Sequence, residues 1–289
     1  MAIWDSRVVF TQRRDFMEKI STGDLTIPRL GFGTFRMPGG DCQPVVESAL
    51  EVGYRHIDTA EMYQNEDAVG AAIAGSGIAR HDLYVTTKVW HENLKPDAIR
   101  RAFDNSLKKL SLDYVDLYMI HWPSRDINLA AVLETLEGLR EEGLTRAIGV
   151  CNFNMHLIKA AVEEIRASIA CHQVEYHPFL DQSAMLTYLR GKNIPLVAYA
   201  PLAQGRAATN AVLARIGRKH GATAAQIAIA WLLDQDGVVA IPKAQRRESQ
   251  QSNLDAAKIQ LDDDDRNAIA ALPKDQRFVT PPFAPQWDA

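Results

Sequence analysis

Short apolar runs recur along the chain and alternate with amphipathic stretches at intervals of roughly 25 to 35 residues, the size of a βα unit. Some runs, such as Leu-Val-Ala-Tyr-Ala at 196–200, are apolar on both faces, which is typical of parallel strands covered on both sides. The pattern therefore predicts eight parallel strands. They span residues 30–33, 54–58, 83–87, 115–121, 147–151, 170–175, 195–200 and 237–241.

A helical stretch follows each predicted strand, and turn signals mark several helix ends. Pro96 precedes one helix, Gly143 ends another, and Gly221 divides a longer helical region in two. An acidic run at 262–265 predicts a further helix start, because the helix dipole favours negative charge there. The helices that follow the strands are predicted at 45–52, 66–74, 97–110, 129–142, 155–167, 183–190, 208–233 and 248–257.

Eight βα units in one chain predict a closed (β/α)₈ barrel, and the rival fold is an open, doubly wound sheet. A dinucleotide-binding open sheet begins with G-x-G-x-x-G. The first strand here reads LGFGTFRM, with Gly31 and Gly33 in place but Arg36 where the third glycine belongs. We therefore favour the barrel, and we interpret the two glycines as residues that allow tight packing at a barrel strand.

The composition fits this fold and excludes several function classes. The chain has 289 residues, 47% of them hydrophobic and 24% charged, which is the profile of a soluble globular protein. A net charge of −4 does not suggest a nucleic-acid surface, and no segment approaches the 18 or so apolar residues of a membrane helix. We expect a single domain over residues 17–289, preceded by a flexible extension at 1–16 without the pattern of a signal peptide.

The cysteines indicate the compartment. Cys42, Cys151 and Cys171 are odd in number and contain no C-x-x-C pair, which argues against a disulfide framework and against a structural zinc site. We therefore expect a reducing, cytoplasmic setting.

Titratable residues stand at or just after the carboxyl ends of three consecutive predicted strands. Asp58 ends the second strand, with Tyr63 in the loop that follows it, while Lys88 follows the third and His121 ends the fourth. In a barrel these ends share one mouth, where active sites lie. A lysine and an aspartate at the ends of buried strands must pair, because an unpaired buried charge is costly.

This group of residues predicts proton donation to an oxygen. Asp58 would neutralise Lys88, and the cation would lower the pKa of Tyr63 from its ordinary value of about 10. Tyr63 would then serve as general acid, and His121 would orient a carbonyl oxygen. The group lacks a nucleophile with a base beside it. The first strand also lacks an H-x-H pair, so we expect no metal ion in this site.

From about residue 20 onward the chain resembles the aldo-keto reductases. The resemblance is carried, in order, by LGFGTFRM, GYRHIDTAEMYQNE, TTKVW, YVDLYMIHWP, IGVCNF, QVEYHP and IPK. The C-terminal RFVTPPFAPQWD is most similar to the branch of the bacterial 2,5-diketo-D-gluconate reductases B. The resemblance implies hydride transfer from NADPH to an aldehyde or ketone, with Asp58, Tyr63, Lys88 and His121 as the catalytic group. The branch implies a keto-sugar acid or methylglyoxal as substrate.

The resemblance also implies how the ligands bind. Asn152 and Gln173 would hold the nicotinamide carboxamide, and Tyr199 would stack on the ring. Trp90 and Trp122 would line the substrate pocket together with Tyr63 and His121. Further cofactor contacts are implied at Gly33, Thr34, Asp58, Cys151, Ala200, Leu202, Ile241, Lys243, Ala244, Arg247 and Asn253.

This sequence departs from the family pattern at two places that bear on the cofactor. Cys151 stands where the family usually has Ser before Asn152, and we interpret it as a lining residue rather than a nucleophile. The segment IPKAQRRESQQSN matches the family's 2′-phosphate segment at Lys243 and Asn253. Of these two residues, Asn253 would face the adenine. The family usually has an Arg six positions after that Lys, where this chain has Ser249. Arg246 and Arg247 could supply the missing guanidinium, although an Arg pair in a solvated loop is the alternative.

Two functions remain open at this point. The first is a cytoplasmic NADPH-dependent carbonyl reductase that acts as a monomer on a small-molecule carbonyl substrate. The alternative is a regulatory subunit on the same barrel that binds cofactor and a partner protein. The complete catalytic group favours the enzyme, whereas an exposed apolar patch would favour the subunit.

Overall fold

All eight predicted strands are present in the computed structural model, which describes residues 19–22 and 25–288. Each begins and ends within a few residues of its predicted range. They are β3 (Phe32–Gly33), β4 (His56–Asp58), β5 (Tyr84–Val89), β6 (Val115–Ile120), β7 (Thr145–Cys151), β8 (Ile169–Glu175), β9 (Leu196–Tyr199) and β10 (Val238–Ala240). The predicted flexible extension at 1–16 lies outside the described residues.

The eight strands form one parallel sheet that closes on itself. Neighbours pair in chain order from β3 to β10. The two outer strands then meet, because Leu30 pairs with Ala240 and the Gly31 amide donates to the Ala240 carbonyl at 2.9 Å. The Ala240 amide in turn donates to the Arg29 carbonyl at 2.9 Å. The (β/α)₈ barrel is therefore confirmed, and the rival open sheet is wrong.

The glycines of the first strand are packing residues, as the sequence predicted. A Cβ on Gly31 would lie 2.6 Å from Nδ1 of His56, and a Cβ on Gly33 would lie 2.9 Å from the Ile241 carbonyl oxygen. Both distances are below van der Waals contact. A larger residue at either position would push apart the strands that close the barrel.

Helices cover the outside of the barrel. They are α1 (Gly39–Val52), α2 (Glu66–Gly75), α3 (Pro96–Leu110), α4 (Leu129–Glu141), α5 (Met155–Lys159), α6 (Ser183–Gly191), α7 (Arg206–Thr209), α8 (Ala211–Lys219), α9 (Ala224–Leu233), α10 (Arg247–Asp255) and α11 (Asp263–Ala270).

Most helix predictions are confirmed, and two differ. The acidic run begins α11, with Asp262 as its N-cap, and Gly221 separates α8 from α9 with a φ of +62°. The helix predicted at 155–167 is shorter, because α5 changes into a π-helical turn at Ala160–Glu164. Helix α1 begins six residues before the predicted start at 45, so that Pro44 lies inside it at the cost of one backbone hydrogen bond.

Side chains on the strands alternate between two cores. Leu117 and Met119 point into the barrel, whereas Tyr118 and Ile120 pack outward against the helices. A hairpin that the sequence reading missed, β1 (Lys19–Thr22) with β2 (Leu25–Pro28), contributes Ile27 to the inner core at the amino end of the strands. The carboxyl ends therefore form the opposite, open end of the barrel.

Two histidines in the barrel wall are buried and stay neutral. Burial lowers the pKa of His56 to about 4, although the nearby Asp58 carboxylate acts in the opposite direction. Burial also lowers the pKa of His172 to about 3, and Nε2 of His172 accepts a hydrogen bond from the Phe153 amide at 3.2 Å. Both rings are therefore uncharged in the folded protein at neutral pH.

This burial predicts a loss of stability in acid. As the pH falls below about 6.5, the unfolded chain binds a proton at His172 that the folded protein does not bind until about pH 3. His172→Gln keeps an acceptor for Phe153 but cannot titrate. Between about pH 6 and 4, the free energy of unfolding of the wild type should fall by about 1.4 kcal/mol per pH unit more than that of the variant. Urea unfolding at stepped pH measures both slopes, and parallel slopes would contradict the prediction.

Candidate active site

The predicted pair of Asp58 and Lys88 lies at the carboxyl end of the barrel. Nζ of Lys88 is 2.6 Å from Oδ1 of Asp58, and the two side chains are 0% and 2% exposed. The ammonium also donates to the Thr59 carbonyl at 2.9 Å, while Nε2 of Gln173 donates to the other Asp58 oxygen at 2.8 Å. The buried cation and the buried carboxylate are thus both paired and both hydrogen-bonded, as burial requires.

The charge pair fixes the protonation state of Lys88. Burial alone lowers the pKa of an ammonium, but Asp58, followed by Tyr63, reverses that effect and raises the pKa of Lys88 above its ordinary value. Lys88 is therefore a permanent cation near neutral pH.

Tyr63 stands beside this cation. It lies in a short 3₁₀ turn, Glu61–Tyr63, and Nζ of Lys88 is 5.2 Å from the centroid of its ring. Burial raises the pKa of Tyr63 to about 12, and the opposing effect of Lys88 is smaller. The expected lowering of this pKa is therefore wrong in its net direction, because removal from water penalises the phenolate more than the cation favours it. The hydroxyl keeps its proton at neutral pH.

The turn that carries Tyr63 is held by hydrogen bonds that the sequence reading did not foresee. Oε2 of Glu61 accepts from the Trp90 amide at 2.9 Å. Asn65 accepts from the Thr59 hydroxyl at 2.9 Å and donates to the Thr34 carbonyl at 3.0 Å. These contacts join the loop to the ends of β3 and β5. The quoted motif AEMYQNE contained both side chains, but their spacing alone does not identify their partners.

His121 also packs against the tyrosine. Its ring centroid is 5.4 Å from that of Tyr63 and 5.3 Å from that of Trp90. Burial, and then the positive charge of Lys88, hold the pKa of His121 well below its ordinary value, so the imidazole is neutral. Its Nδ1 is buried and has no hydrogen-bond partner among the described residues. A neutral imidazole beside a phenol can direct a hydrogen bond at a carbonyl oxygen.

The residues expected to hold the nicotinamide lie together on the next strands. The side-chain nitrogen Nδ2 of Asn152 donates to the His121 carbonyl at 2.9 Å, and the Tyr199 hydroxyl donates to Oδ1 of Asn152 at 2.8 Å. Gln173 pairs in the sheet with Cys151, directly before Asn152. Asn152 adopts a left-handed φ of 59°, which Asn tolerates better than most residues. Two side-chain amides next to an aromatic ring suit a carboxamide-bearing ring, so these residues fit a nicotinamide.

Other predicted cofactor residues surround this group. Thr34 bonds to the Asp58 carbonyl through its amide at 3.0 Å and its hydroxyl at 3.1 Å. Ala200 has a left-handed φ of 48° directly after β9. Cys151 is fully buried, with Sγ 3.8 Å from Sδ of Met119, and burial raises the pKa of its thiol well above the ordinary value. It is therefore no thiolate nucleophile.

The segment expected to bind the 2′-phosphate follows β10. Lys243 is exposed, and its Nζ lies 3.5 Å from the Arg36 carbonyl oxygen. Arg247 forms an ion pair with Glu51 at 2.6 Å, whereas Arg246 is exposed and forms no ion pair with any described residue. Asn253 is buried. Of the remaining residues predicted here, Ile241 and Ala244 are buried and Leu202 is half-buried.

A cluster of aromatic rings extends from His121 through Trp90. The ring of Phe283 is 5.5 Å from Trp90 and 5.6 Å from Trp122, and Trp287 is 6.1 Å from Trp122. Trp90 and Trp122 were predicted as lining residues, whereas Phe283 and Trp287 were not, although both belong to RFVTPPFAPQWD. Their aromatic character was the available signal, but nothing local indicates that the tail crosses the barrel mouth.

Within 19–22 and 25–288, no group of three His, Cys, Asp or Glu side chains is placed to hold a metal ion. No helix in the same ranges has the length and apolar character needed to cross a membrane.

The sequence of the chain matches one protein family and several curated relatives. Residues 29–274 match the profile of the aldo/keto reductase family. The chain is 44% identical over 268 residues to the methylglyoxal reductase DkgB of Escherichia coli O157:H7, which covers 91% of this chain and 100% of that protein. It is 40% identical over 252 residues to the glyoxal reductase of Bacillus subtilis strain 168, with 87% and 91% covered.

Solved structures give the same result. A crystal structure provisionally assigned as a 2,5-diketo-D-gluconic acid reductase B superposes with a TM-score of 0.92 at 40% identity. The match covers 94% of this chain and 98% of that one.

The buried pair of Asp58 and Lys88 predicts strong energetic coupling. Asp58→Asn or Lys88→Met alone leaves one buried charge without its partner, so each should lower the free energy of unfolding by about 3–5 kcal/mol. The double variant should lose clearly less free energy of unfolding than the sum of the losses in the two single variants. Urea unfolding of all four proteins measures this coupling.

The exposed pair of Arg100 and Glu142 is the matched control. Arg100→Met should leave the free energy of unfolding close to that of the wild type, since exposed ion pairs contribute little. Strict additivity of the Asp58 and Lys88 substitutions would contradict the prediction.

Proposed function

Because the chain belongs to the aldo-keto reductase family and is an oxidoreductase, we propose that it reduces aldehydes and ketones to alcohols with NADPH, with Tyr63 as the general acid. The observation that carries the proposal is the buried ion pair of Asp58 and Lys88 beside the protonated Tyr63. A binding protein has no need for a cation held there without access to water.

Each residue of the group has a defined task in this reaction. The cofactor, when bound, supplies the hydride that the carbonyl carbon gains. The Tyr63 hydroxyl gives its proton to the oxygen as that oxygen becomes an alkoxide, which is a stronger base than a phenolate. Lys88 stabilises the phenolate that remains, and Asp58 keeps Lys88 charged and in place. Neutral His121 orients the carbonyl oxygen.

NADPH rather than NADH is favoured by the positive charge around the end of β10. Lys243 and Arg246 are exposed and carry no carboxylate partner among the described residues. A guanidinium suits the forked geometry of a phosphate. We therefore assign the 2′-phosphate to Arg246, and we give Arg247, which pairs with Glu51, a secondary role.

Keto-sugar acids of the 2,5-diketo-D-gluconate type and methylglyoxal are the proposed substrates. Relatives over 40% identical and with nearly full coverage are named for methylglyoxal, and the superposed crystal structure is provisionally named for the diketo acid. The aromatic wall of Trp90, Trp122 and Phe283 suits a compact substrate whose carbon chain is partly apolar.

We propose that the enzyme is a monomer of one domain, residues 17–289, in the cytoplasm. Phe35 is the large hydrophobic residue that is exposed among the described residues, so the described surface offers no broad apolar patch to a partner. This also disfavours the regulatory-subunit alternative. Each of the three cysteines is free and buried, which suits a reducing compartment.

The first test of the proposal is turnover by the Tyr63→Phe variant. The loss of NADPH absorbance with methylglyoxal or 2,5-diketo-D-gluconate reports turnover, and removal of the phenolic proton should lower kcat by about 10²–10⁴-fold. Cofactor fluorescence should show that the variant still binds NADPH. Tight NADPH binding without turnover by the wild type, over a broad panel of carbonyls, would instead support the regulatory subunit.

A second test separates the two arginines. Arg246→Ala should raise KM for NADPH about 10–100-fold, the value of one or two charge-assisted hydrogen bonds, and should leave KM for NADH nearly unchanged. Arg247→Ala is the matched control and should change KM for NADPH much less. A larger effect from Arg247 would reverse the assignment, and equal effects of Arg246→Ala on both cofactors would remove it.

A further inference from the structure

The C-terminal segment 274–288 crosses the carboxyl end of the barrel and is fastened there. Asp275 pairs with Leu180, and the Gln276 amide donates to the Phe179 carbonyl at 3.0 Å. The next anchor is Glu175, which ends β8 and is fully buried. Its carboxylate oxygens accept from the Phe278 amide at 2.8 Å and the Val279 amide at 2.9 Å. The backbone on both sides of residue 277 is therefore fixed over the barrel mouth.

The segment forms the outer wall of the active site. Phe283 contacts Trp90, which contacts His121, and Trp287 contacts Trp122. A substrate whose carbonyl lies between Tyr63 and His121 therefore extends outward along rings that the tail supplies or packs against. Side chains of the tail on this wall can contact the part of the substrate that does not react.

Arg277 is a charged residue of this segment that stacks on one of its rings. Its guanidinium carbon is 3.9 Å from the centroid of the Trp287 ring, so the planar group is stacked and held. Its side chain is half-buried, Nη1 is buried, and that nitrogen has no hydrogen-bond partner among the described residues. Burial lowers the pKa of Arg277, against the opposing effects of Glu175, Tyr199 and Asp288.

No described carboxylate forms an ion pair with Arg277. Glu175 is occupied by the two tail amides and by His177, and Asp288 accepts from the Met155 amide at 2.8 Å. Leaving a guanidinium half-buried without an anion costs free energy, which an anion from solution would recover. Arg277 is also linked electrostatically to the site, because Tyr199 acts on its charge, and the Tyr199 hydroxyl bonds to Asn152, whose side chain bonds to the carbonyl of His121.

From this arrangement, and resting on the proposed function, we propose that Arg277 is a specificity residue that binds a carboxylate on the substrate. The enzyme then prefers carbonyl compounds that carry a carboxylate, such as keto acids and aldehyde acids, over neutral ones such as methylglyoxal. A guanidinium offers two parallel donors that match the two oxygens of a carboxylate. Stacking on Trp287 holds this fork in one plane before the substrate arrives, which lowers the entropic cost of binding.

The test uses two four-carbon aldehydes that differ in a terminal carboxylate, succinic semialdehyde and butanal, with methylglyoxal as a second neutral substrate. Arg277→Gln should lower kcat/KM for succinic semialdehyde about 10–100-fold, mostly through KM, and should change the values for both neutral substrates by less than about twofold. Arg277→Lys, which keeps the charge but not the fork, should fall between the wild type and the Gln variant.

Arg206→Gln is the matched control, because the Arg206 guanidinium also stacks on a tail ring, that of Phe278 at 3.9 Å, but is exposed. It should leave the ratio of kcat/KM for the two aldehydes unchanged. An unchanged ratio of kcat/KM for the two aldehydes in Arg277→Gln would overturn the proposal. If that ratio is unchanged because charged and neutral substrates lose equally, Arg277 only supports the tail.

A binding measurement separates this proposal from the proposed function. Trp287 lies against the guanidinium, so succinate bound to the NADP-saturated protein should quench tryptophan fluorescence, and the neutral succinamide should not. Arg277→Gln should abolish the succinate response. If the wild type reduces none of the three carbonyls, the reductase proposal fails, and succinate binding alone then decides the role of Arg277. Turnover that depends on Tyr63, with no succinate response, would overturn only the assignment of Arg277.

Discussion

The central constraint in this protein is a lysine ammonium with no access to water. Lys88 is held inside the barrel mouth by Asp58 and by a backbone carbonyl, and removal of either charge would leave the other buried alone. The rest of the site is arranged around this requirement. Gln173 satisfies the second oxygen of Asp58, and Thr34 fixes the carbonyl of the same residue. The pair is thus a structural necessity that also places a permanent cation next to a phenol.

Barrel closure makes this arrangement possible, because it brings residues from opposite parts of the chain into one hydrogen-bonded network. Asp58 and Gln173 are separated by 115 residues in sequence, yet their side chains are 2.8 Å apart. The network continues from His121 through Asn152 to Tyr199. A protonated phenol, a neutral imidazole and two side-chain amides are therefore held in place by the fold itself, and the proposed reduction would need such preorganisation.

The tail adds a second layer to the same design. Glu175 is buried and uses both carboxylate oxygens to fasten the backbone at Phe278 and Val279. Like the Asp58 side chain, it is a buried carboxyl group whose hydrogen-bond partners fix the position of a neighbouring segment. The tail therefore depends on the barrel strands for its place, while its own aromatic rings pack against Trp122 and the Arg277 guanidinium.

The sequence by itself determined the order of the eight strands and helices, the shared location of Asp58, Lys88, Tyr63 and His121, and the family. Periodicity and strand-end position are local properties, and the geometry of a parallel barrel converts them into a common site. Only the tertiary structure decided the direction of the Tyr63 pKa, the ion pair of Arg247 with Glu51, and the path of the tail. Each of these depends on desolvation or on contacts between distant residues, and no short stretch of sequence encodes how much water the folded chain excludes.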